Sequence, residues 1–322
     1  MATLPRPPID PELAAPLALM PEMTREVTAD HIPTSRQAAY QRPIDQVIEG
    51  RDVELTVHEV TSSDGATIEI SVLRRRGHSD ETSPGIFTIH GGGMIGGHRY
   101  VGAEMFLDWI DEYDAVVATV EYRLAPENQD PAPVEDCYAA LVWFSEHAAE
   151  FSFDPDSVLV MGGSAGGGLA AGTALLARDR KGPKIAWQLL SCPMLDDRDS
   201  TISAQQIVDG VPWARASNRF GWTSLLGDRY GTDDVSIYAA PARATDLSGL
   251  PPAFIDVGDA EVFRDEAVAY AAKIWQAGGN ADLHVWSGAY HGFSLVPTAS
   301  VSVEAAQAQR AWIRRQFSRL AR

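Results

Sequence analysis

The sequence predicts an α/β fold in which a mostly parallel central sheet carries helices on both faces. After residue 85, short apolar runs alternate with longer segments of helical periodicity, which is the pattern of repeated βαβ units. Residue types that suit chemistry follow several of these runs, and parallel sheets bind ligands at the carboxyl ends of their strands. The chain has 322 residues, 45% of them apolar, which is enough to bury one large core.

The predicted strands follow a regular order along the chain. A hairpin comes first, with strands at residues 53–60 and 66–73 joined through Ser62-Ser63-Asp64-Gly65. Six more strands alternate with helical segments, at residues 85–90, 115–121, 157–162, 185–191, 252–257 and 281–286. Before residue 50 prolines and apolar stretches predict short helices, and between residues 195 and 250 the alternation breaks.

The strand at residues 85–90 ends in His90 and is followed by Gly91-Gly92-Gly93. Glycines at a strand end expose backbone N–H groups, which can stabilise a developing negative charge. A phosphate-binding loop would need a lysine or a helix N-terminus beside it, and no Lys or Arg lies within these glycines. We therefore predict an oxyanion-binding turn that His90 braces.

The segment from Tyr122 to Glu127 follows another strand and contains Ala125-Pro126. Its arginine and glutamate are candidates for catalysis, but charged residues beside prolines also pin loops. We predict that Arg123 and Glu127 are structural and support the glycine turn, with one cis proline in the segment.

The next strand runs into Gly162-Gly163-Ser164-Ala165-Gly166, and a helical segment of small residues follows. A serine hydroxyl is a weak nucleophile unless a base and oxyanion donors stand beside it. A strand, a serine on a tight glycine turn and a helix present the hydroxyl in this way. A dinucleotide fingerprint beginning at Gly166 is disfavoured, because those glycines lie inside the helix rather than at the strand-to-helix turn. Ser164 is the predicted nucleophile.

A base and a carboxylate follow later in the chain. His291 lies in a glycine-containing loop after the last predicted strand, which makes it the candidate base among the eight histidines. A proton-accepting imidazole needs a carboxylate on its other nitrogen. Asp259 and Glu261 both follow the strand at residues 252–257, and their position alone leaves both open.

Four motifs together resemble the hormone-sensitive-lipase-like family of microbial carboxylesterases, which have the α/β-hydrolase fold. They are, in chain order, His90-Gly91-Gly92-Gly93, Tyr122-Arg123-Leu124-Ala125-Pro126-Glu127, Gly162-Gly163-Ser164-Ala165-Gly166-Gly167 and Tyr290-His291-Gly292-Phe293. The resemblance covers the chain from about residue 53 to its C-terminus. It implies an esterase with a serine, acid and histidine triad and an oxyanion hole formed by Gly92, Gly93 and Ala165.

The chain departs from the family pattern at two positions. The family usually carries Asp where this chain has Gly163, which removes a polar side chain behind the nucleophile. The family acid usually opens the run Asp-Pro-Leu-Arg-Asp-Glu, which reads Glu261-Val262-Phe263-Arg264-Asp265-Glu266 here. Matching the last three residues makes Glu261 the acid in preference to Asp259, and glutamate is an accepted member of such triads.

The resemblance also implies a helical cap. We expect an N-terminal cap segment at residues 1–50 and a catalytic domain at residues 51–322, with a cap insertion at about residues 195–250. Trp213, Phe220 and Trp222 of the insertion are predicted either to line a substrate pocket or to form a small core of the insertion itself.

The expected activity is hydrolysis of short-chain acyl esters through Ser164, Glu261, His291 and an acyl-enzyme, with a small-molecule ester as substrate. Hydrolysis of lactones, amides or carbamates on the same triad is one alternative. Another is a non-catalytic small-molecule receptor, because the gibberellin receptors of plants resemble this family and lack the histidine. The presence of His291 disfavours the receptor.

Composition restricts partners and location. A net charge of −18 argues against binding to nucleic acid or anionic membranes, whose phosphates would repel the chain. Only Cys137 and Cys192 occur, as predicted buried thiols, and no Cys/His cluster predicts a metal, so no cofactor is expected. With no leader-like start and no long apolar run, we expect a cytoplasmic enzyme. Similar enzymes often pair through the strand here at residues 281–286, which predicts a homodimer.

Overall fold

The computed structural model describes residues 4–39 and 43–318 and contains one eight-stranded sheet. Its strands are β1 (Val53–Thr61), β2 (Thr67–Arg75), β3 (Pro84–Ile89), β4 (Val116–Glu121), β5 (Asp154–Gly163), β6 (Trp187–Ser191), β7 (Ala253–Gly258) and β8 (Ala281–Trp286). Their order across the sheet is β1-β2-β4-β3-β5-β6-β7-β8. Strand β2 is antiparallel to β1 and β4, and the remaining neighbours are parallel. The predicted mostly parallel sheet is confirmed.

The helices fill the connections between strands and both irregular regions. They are α1 (Pro11–Leu19), α2 (Ile32–Ala39), α3 (Ile44–Ile48), α4 (Ala103–Tyr113), α5 (Ala132–Glu146), α6 (Ala148–Phe151), α7 (Ala165–Asp179), α8 (Ile202–Gln206), α9 (Arg215–Leu226), α10 (Arg264–Gln276) and α11 (Ser300–Phe317). Short 3₁₀ helices span Pro21–Thr24, Ala29–His31, Gly227–Arg229, Pro241–Arg243 and Phe293–Leu295. Of the predicted N-terminal segment, residues 1–3 and 40–42 lie outside the described residues.

Two apolar cores cover the two faces of the sheet. Phe87 and Val160 pack in one core with α5, α7 and α10, whereas their chain neighbours Ile86 and Leu159 pack in the other with α4 and α11. Successive side chains of a strand point to opposite faces, so a central parallel strand must be apolar at nearly every position. Strand β3 is buried throughout for this reason. Strand β8 forms one edge of the sheet, and the homodimer through it stays a prediction.

Helix α7 begins directly after Ser164 and has four glycines in its first eight residues. Glycine in a helix costs about 1 kcal/mol relative to alanine, so these positions need a packing reason. A Cβ on Gly166 would overlap the carbonyl oxygen of Ile89 on β3, and one on Gly172 would overlap that of Tyr238. Small residues therefore allow α7 to lie close against the sheet, which places its N-terminus at the strand ends.

The segment after β4 is held by a buried ion pair. The carboxylate of Asp136, which is fully buried, accepts hydrogen bonds from Nε and Nη2 of Arg123 at 2.8 and 2.7 Å and from the Ser62 hydroxyl at 2.5 Å. The hydrogen bonds that Arg123 donates to Asp136 raise the pKa of the guanidinium. Glu127 pairs with Arg36 at 2.8 Å. These contacts agree with the structural role predicted for the segment, in which Ala125-Pro126 and also Asp130-Pro131 are cis.

Asp136→Ala is expected to lower the free energy of unfolding by about 3 kcal/mol, because it leaves a partly buried guanidinium and a buried hydroxyl without their acceptor. Urea unfolding followed by circular dichroism measures the change. Asp64→Ala is the matched control, because Asp64 pairs with the same Arg123 at 2.8 Å but is exposed, and it should leave the midpoint nearly unchanged. Equal shifts for the two variants would contradict this account.

Candidate active site

Ser164 connects β5 to α7 in an unusual backbone conformation, with φ 58° and ψ −124°. A non-glycine residue at positive φ is uncommon, and such strain concentrates at functional sites. Two backbone hydrogen bonds hold the turn: Ser164 N–H donates to Ser191 O at 2.8 Å, and Ser164 O accepts from Met194 N–H at 3.0 Å. The serine is thereby fixed at the carboxyl end of β5.

His291 and Glu261 complete a hydrogen-bonded chain with Ser164. His291 Nε2 lies 3.0 Å from Ser164 Oγ, and His291 Nδ1 lies 3.1 Å from Glu261 Oε1. Glu261 is fully buried, and its Oε2 accepts from Gly258 N–H at 2.9 Å. The ring of Phe263 contacts the imidazole edge-on, with centroids 5.0 Å apart. Three loops at the ends of β5, β7 and β8 thus bring together the three side chains that the sequence suggested.

The other candidate carboxylate lies elsewhere. Asp259 Oδ1 accepts from Gly288 N–H at 2.8 Å, and the Asp259 carbonyl accepts from Arg264 Nη1 at 3.0 Å. Asp259 therefore ties the loop after β7 to the loop after β8, whereas Glu261 contacts the imidazole.

The glycine turn lies beside Ser164 with two of its residues at positive φ, 119° for Gly92 and 63° for Gly93. A Cβ on Gly93 would overlap the ring of Trp213, so no side chain fits there. The N–H groups of Gly92 and Gly93 donate to no acceptor in the parts of the chain that the structure describes. Ala165 is the first residue of α7, and its N–H has no partner inside the helix. These amides are available to an oxyanion.

His90 supports the glycine turn through contacts of its imidazole. Its Nδ1–H donates to Gly91 O at 2.8 Å, and its ring stacks on Tyr122 with centroids 4.2 Å apart. The Tyr122 hydroxyl donates in turn to His90 O at 3.0 Å. Burial lowers the pKa of His90 to about 4, so its imidazole is neutral at neutral pH. The predicted bracing role of His90 agrees with these contacts.

Ser164 and His291 open into a cavity of about 600 Å³ between α4, α11 and the loop after β8. Its wall is mostly apolar and includes Val101, Met105, Phe106, Phe293, Leu295 and Val303. Its polar lining includes Ser191, Asp256, Gln309 and Arg310. Sequence reasoning named Phe293 only as part of a motif and predicted none of these residues as part of the cavity wall. The one local signal was the charge of Asp256 within the otherwise apolar strand β7.

The three aromatic residues predicted for the pocket lie outside this cavity. Trp222 is 1% exposed and packs in the core under α9, because it occupies the inward face of that helix. Phe220 is partly buried against the same core. Trp213 is also partly buried, and its ring covers Gly93 of the glycine turn.

The N-terminal segment contacts the loop that carries His291. Asp10 N–H donates to Gly288 O at 3.0 Å, and the Tyr290 hydroxyl lies 3.5 Å from Leu13 O. The Glu12 carboxylate accepts from the N–H of Ser300 at 2.6 Å, at the start of α11. Sequence reasoning did not foresee that residues near the N-terminus would support the base.

One group of potential metal ligands occurs within residues 4–39 and 43–318: Cys192, Glu261 and His291, whose ligand atoms lie within 4.8 Å of one another. Burial raises the pKa of the Cys192 thiol well above its usual value, so it is protonated. Glu261 and His291 bond to each other instead. The donor set therefore fits a proton-transfer pair better than a metal site.

None of the described helices is both long and apolar enough to span a lipid bilayer.

Several known proteins are similar to this chain. The family described as alpha/beta hydrolase fold matches residues 86–295. Among characterised sequences, carboxylic ester hydrolase LipN of Mycobacterium tuberculosis is 34% identical, with 82% of this chain and 70% of LipN covered. Carboxylesterase NlhH of the same organism is 32% identical over 92% of this chain and 93% of NlhH. Among solved structures, a bacterial heroin esterase superposes with a TM-score of 0.87 at 40% identity, covering 96% of this chain and 98% of that one.

Proposed function

The chain belongs to the alpha/beta hydrolase fold family, in its hormone-sensitive-lipase-like group, and is a carboxylic ester hydrolase; we propose that it cleaves short-chain acyl esters through Ser164, His291 and Glu261. The observation that carries this proposal is the hydrogen-bonded chain from Ser164 Oγ through the imidazole of His291 to the buried carboxylate of Glu261. Its order matches the roles of nucleophile, base and orienting acid.

In the proposed first step, Ser164 Oγ attacks the ester carbonyl carbon while His291 Nε2 accepts the hydroxyl proton. Glu261 accepts the Nδ1–H hydrogen bond, which selects the reactive tautomer and stabilises the imidazolium. The N–H groups of Gly92, Gly93 and Ala165 stabilise the oxyanion.

In the second step, His291 returns its proton to the departing alkoxide, and an acyl-enzyme on Ser164 remains. Water then attacks the acyl carbon, His291 accepts a proton from that water, and the acid leaves as Ser164 recovers its hydrogen. The atoms and protons of these two steps balance without a cofactor.

We also propose that the described parts of residues 1–50 cover the active site together with residues 195–250. Support comes from hydrogen bonds between the two regions: Gln206 Nε2 donates to Pro5 O at 2.6 Å, and Val27 N–H donates to Ser217 Oγ at 2.9 Å. An apolar cluster joins them to the loop that carries His291, and it contains Leu13, Leu17, Ile207, Val211, Tyr290 and Phe293. The cover would limit the space for substrate.

Esters with acyl chains of about two to six carbons should therefore be preferred over long lipids, because a cover made of two segments would leave no long apolar groove for an acyl chain. Initial rates with p-nitrophenyl esters from acetate to palmitate measure kcat/KM along the series, and we expect a fall of at least about tenfold toward palmitate. A non-catalytic receptor would turn over none of them. A steady rise toward palmitate, with activation at a lipid interface, would make the protein a lipase.

A further inference from the structure

We propose that Asp256 forms a binding site inside the active-site cavity for a protonated amine carried on one arm of the ester substrate. The inference rests on the proposed function, because it names the class of ester that the same site prefers.

The register of the sheet places Asp256 in line with the nucleophile. Gly163 on β5 pairs with Ser191 on β6, and Ser191 pairs with Asp256 on β7. Side chains at paired positions point to the same face, and neighbouring strands lie about 4.8 Å apart, so the Asp256 backbone is about 10 Å from Gly163. Phe254, two residues before Asp256, contacts Trp312 of α11 with ring centroids 5.7 Å apart. Asp256 therefore points to the face that α11 covers.

The paired residues Gly163, Ser191 and Asp256 leave space beside Gly163. Gly163 has no side chain, and a Cβ placed there would meet nothing closer than the oxygen and Cβ of Ser191, at 3.8 and 4.0 Å. Gly163, Ser164, Ser191 and Asp256 all line the same cavity. A substrate arm can thus extend from the acylated serine along this cavity toward Asp256, and a small shift of the Ser191 and Gln309 side chains would expose the buried carboxylate oxygen to it.

The carboxyl group of Asp256 is only partly satisfied. The residue is 4% exposed, and its Oδ2 accepts from Trp286 Nε1–H at 3.1 Å. Its Oδ1 has no hydrogen-bond partner among residues 4–39 and 43–318, while the nearby Gln309 amide donates to the Ser191 hydroxyl at 2.8 Å. A buried carboxylate oxygen without a donor is unfavourable, so a ligand that supplies one gains free energy.

A negative charge on Asp256 favours a cationic ligand over a neutral hydrogen-bond donor. Burial, with a contribution from the negative charge of Glu261, raises the pKa of Asp256 to about 6, although the Trp286 hydrogen bond and the nearby polar side chains of Ser191 and Gln309 lower it in part. The carboxyl group is therefore mainly ionised at pH 8, where an alkyl ammonium is still protonated.

The groups around Asp256 leave its charge without a counter-ion. On β6 the Cys192 thiol has a raised pKa and is neutral, and on β8 burial lowers the pKa of His284. His291, on the loop after β8, bonds to Glu261 and Ser164. Arg310 of α11 lines the cavity but pairs with Asp108 at 2.7 Å. An ammonium group at the end of an apolar arm would complete the site.

Two matched pairs of esters test the proposal on the full-length protein. The acyl-side pair is p-nitrophenyl ω-aminohexanoate and p-nitrophenyl heptanoate, in which a methyl group replaces the amine. The alcohol-side pair is ω-aminohexyl acetate and heptyl acetate. At pH 8 we expect the amine-bearing member of one pair to have a kcat/KM about 10- to 100-fold higher than its neutral partner, the range of a charge-assisted hydrogen bond. The pair that shows the preference tells whether the amine lies on the acyl part or on the alcohol part of the substrate.

Asp256→Asn should abolish this preference, because it lowers kcat/KM for the amine-bearing ester much more than for its neutral partner. Asp259→Asn is the matched control: it removes a carboxylate three residues away that bonds to Gly288 outside the cavity lining, and it should keep the preference. In the wild type, the ratio between amine and neutral ester should fall as pH decreases from 8 through 6, because protonation removes the charge of Asp256. An effect of pH on the chemical steps acts on both esters of a pair and cancels in the ratio.

An absent preference in both pairs would overturn the inference, as would a preference that persists in Asp256→Asn. A folded Asp256→Asn protein that loses activity on amine and neutral esters equally would make the carboxyl structural and would also overturn it. If Asp256→Asn does not fold, the wild-type ratio decides: a fall through pH 6 supports the site, and a constant ratio overturns it. Hydrolysis of no ester at all would contradict the proposed function itself, whereas hydrolysis without preference would contradict only this site.

Discussion

Ser164→Ala is expected to reduce kcat for a short-chain ester by about 10⁵-fold or more, because no other group at the turn can form the acyl-enzyme. Removal of a serine nucleophile leaves only binding and the oxyanion donors, which retain a small part of the rate enhancement over water. Alanine keeps the size of the residue and the backbone hydrogen bonds to Ser191 and Met194. Turnover of p-nitrophenyl butyrate by the purified protein, with its circular dichroism spectrum as a check of folding, measures the effect.

Ser294→Ala is a suitable control, because Ser294 is an exposed serine that lines the same cavity and is assigned no chemical role. It should retain most of the activity. EDTA should not change the rate of the wild type, because the mechanism gives no task to a metal. Substantial turnover by folded Ser164→Ala, or a loss with EDTA that zinc restores, would refute the serine mechanism.

Glu261→Gln is expected to reduce kcat on the order of 10⁴-fold, the loss that removal of the carboxylate charge causes in a comparable triad. Glutamine preserves the side-chain volume in a fully buried position. Its amide can present N–H to Nδ1 of His291, which favours the wrong tautomer, and it cannot stabilise the imidazolium. Steady-state kinetics should show the loss mainly in kcat, because the carboxylate stabilises a charge that forms only during reaction.

Asp259→Asn is the matched control for the acid. Asn can still accept the hydrogen bond from Gly288, so we expect kcat within a few-fold of wild type and a stability change of at most about 1 kcal/mol. The reverse ranking, with Asp259→Asn inactive and Glu261→Gln active, would show that the carboxylate nearer to the strand orients His291.

All eight strands were predictable, because apolar runs between turn signals identify strands of a parallel sheet. The predicted ends of the strands were less accurate than their positions. The strand before Ser164 was predicted to begin at residue 157, but β5 begins at Asp154, which pairs with Pro84 on β3. Residues 154–156 read Asp-Pro-Asp and are at least partly exposed, so only backbone pairing with a remote strand extends the element.

The triad was only partly predictable for a similar reason. Ser164 and His291 have local motifs, a glycine turn between strand and helix and a glycine-containing loop. The acid has two candidates on one loop, and periodicity does not distinguish carboxylates two residues apart. Contact with the imidazole depends on the path of that loop, which Gly258 N–H fixes by binding Glu261 and Gly288 N–H by binding Asp259.

The sequence by itself determined the sheet, the serine turn and the glycine turn, because turn chemistry and side-chain periodicity act within a few residues. Only the tertiary structure decided the cavity, whose wall combines residues of α4 and α11 almost 200 positions apart in the chain. Asp256 illustrates the difference. In the sequence it is one charged residue in an apolar strand, and it becomes a candidate ligand site because packing places it in the wall of the same cavity as Ser164. A cavity forms where side chains from elements that are distant in the chain do not pack together, and no local pattern of residues encodes it.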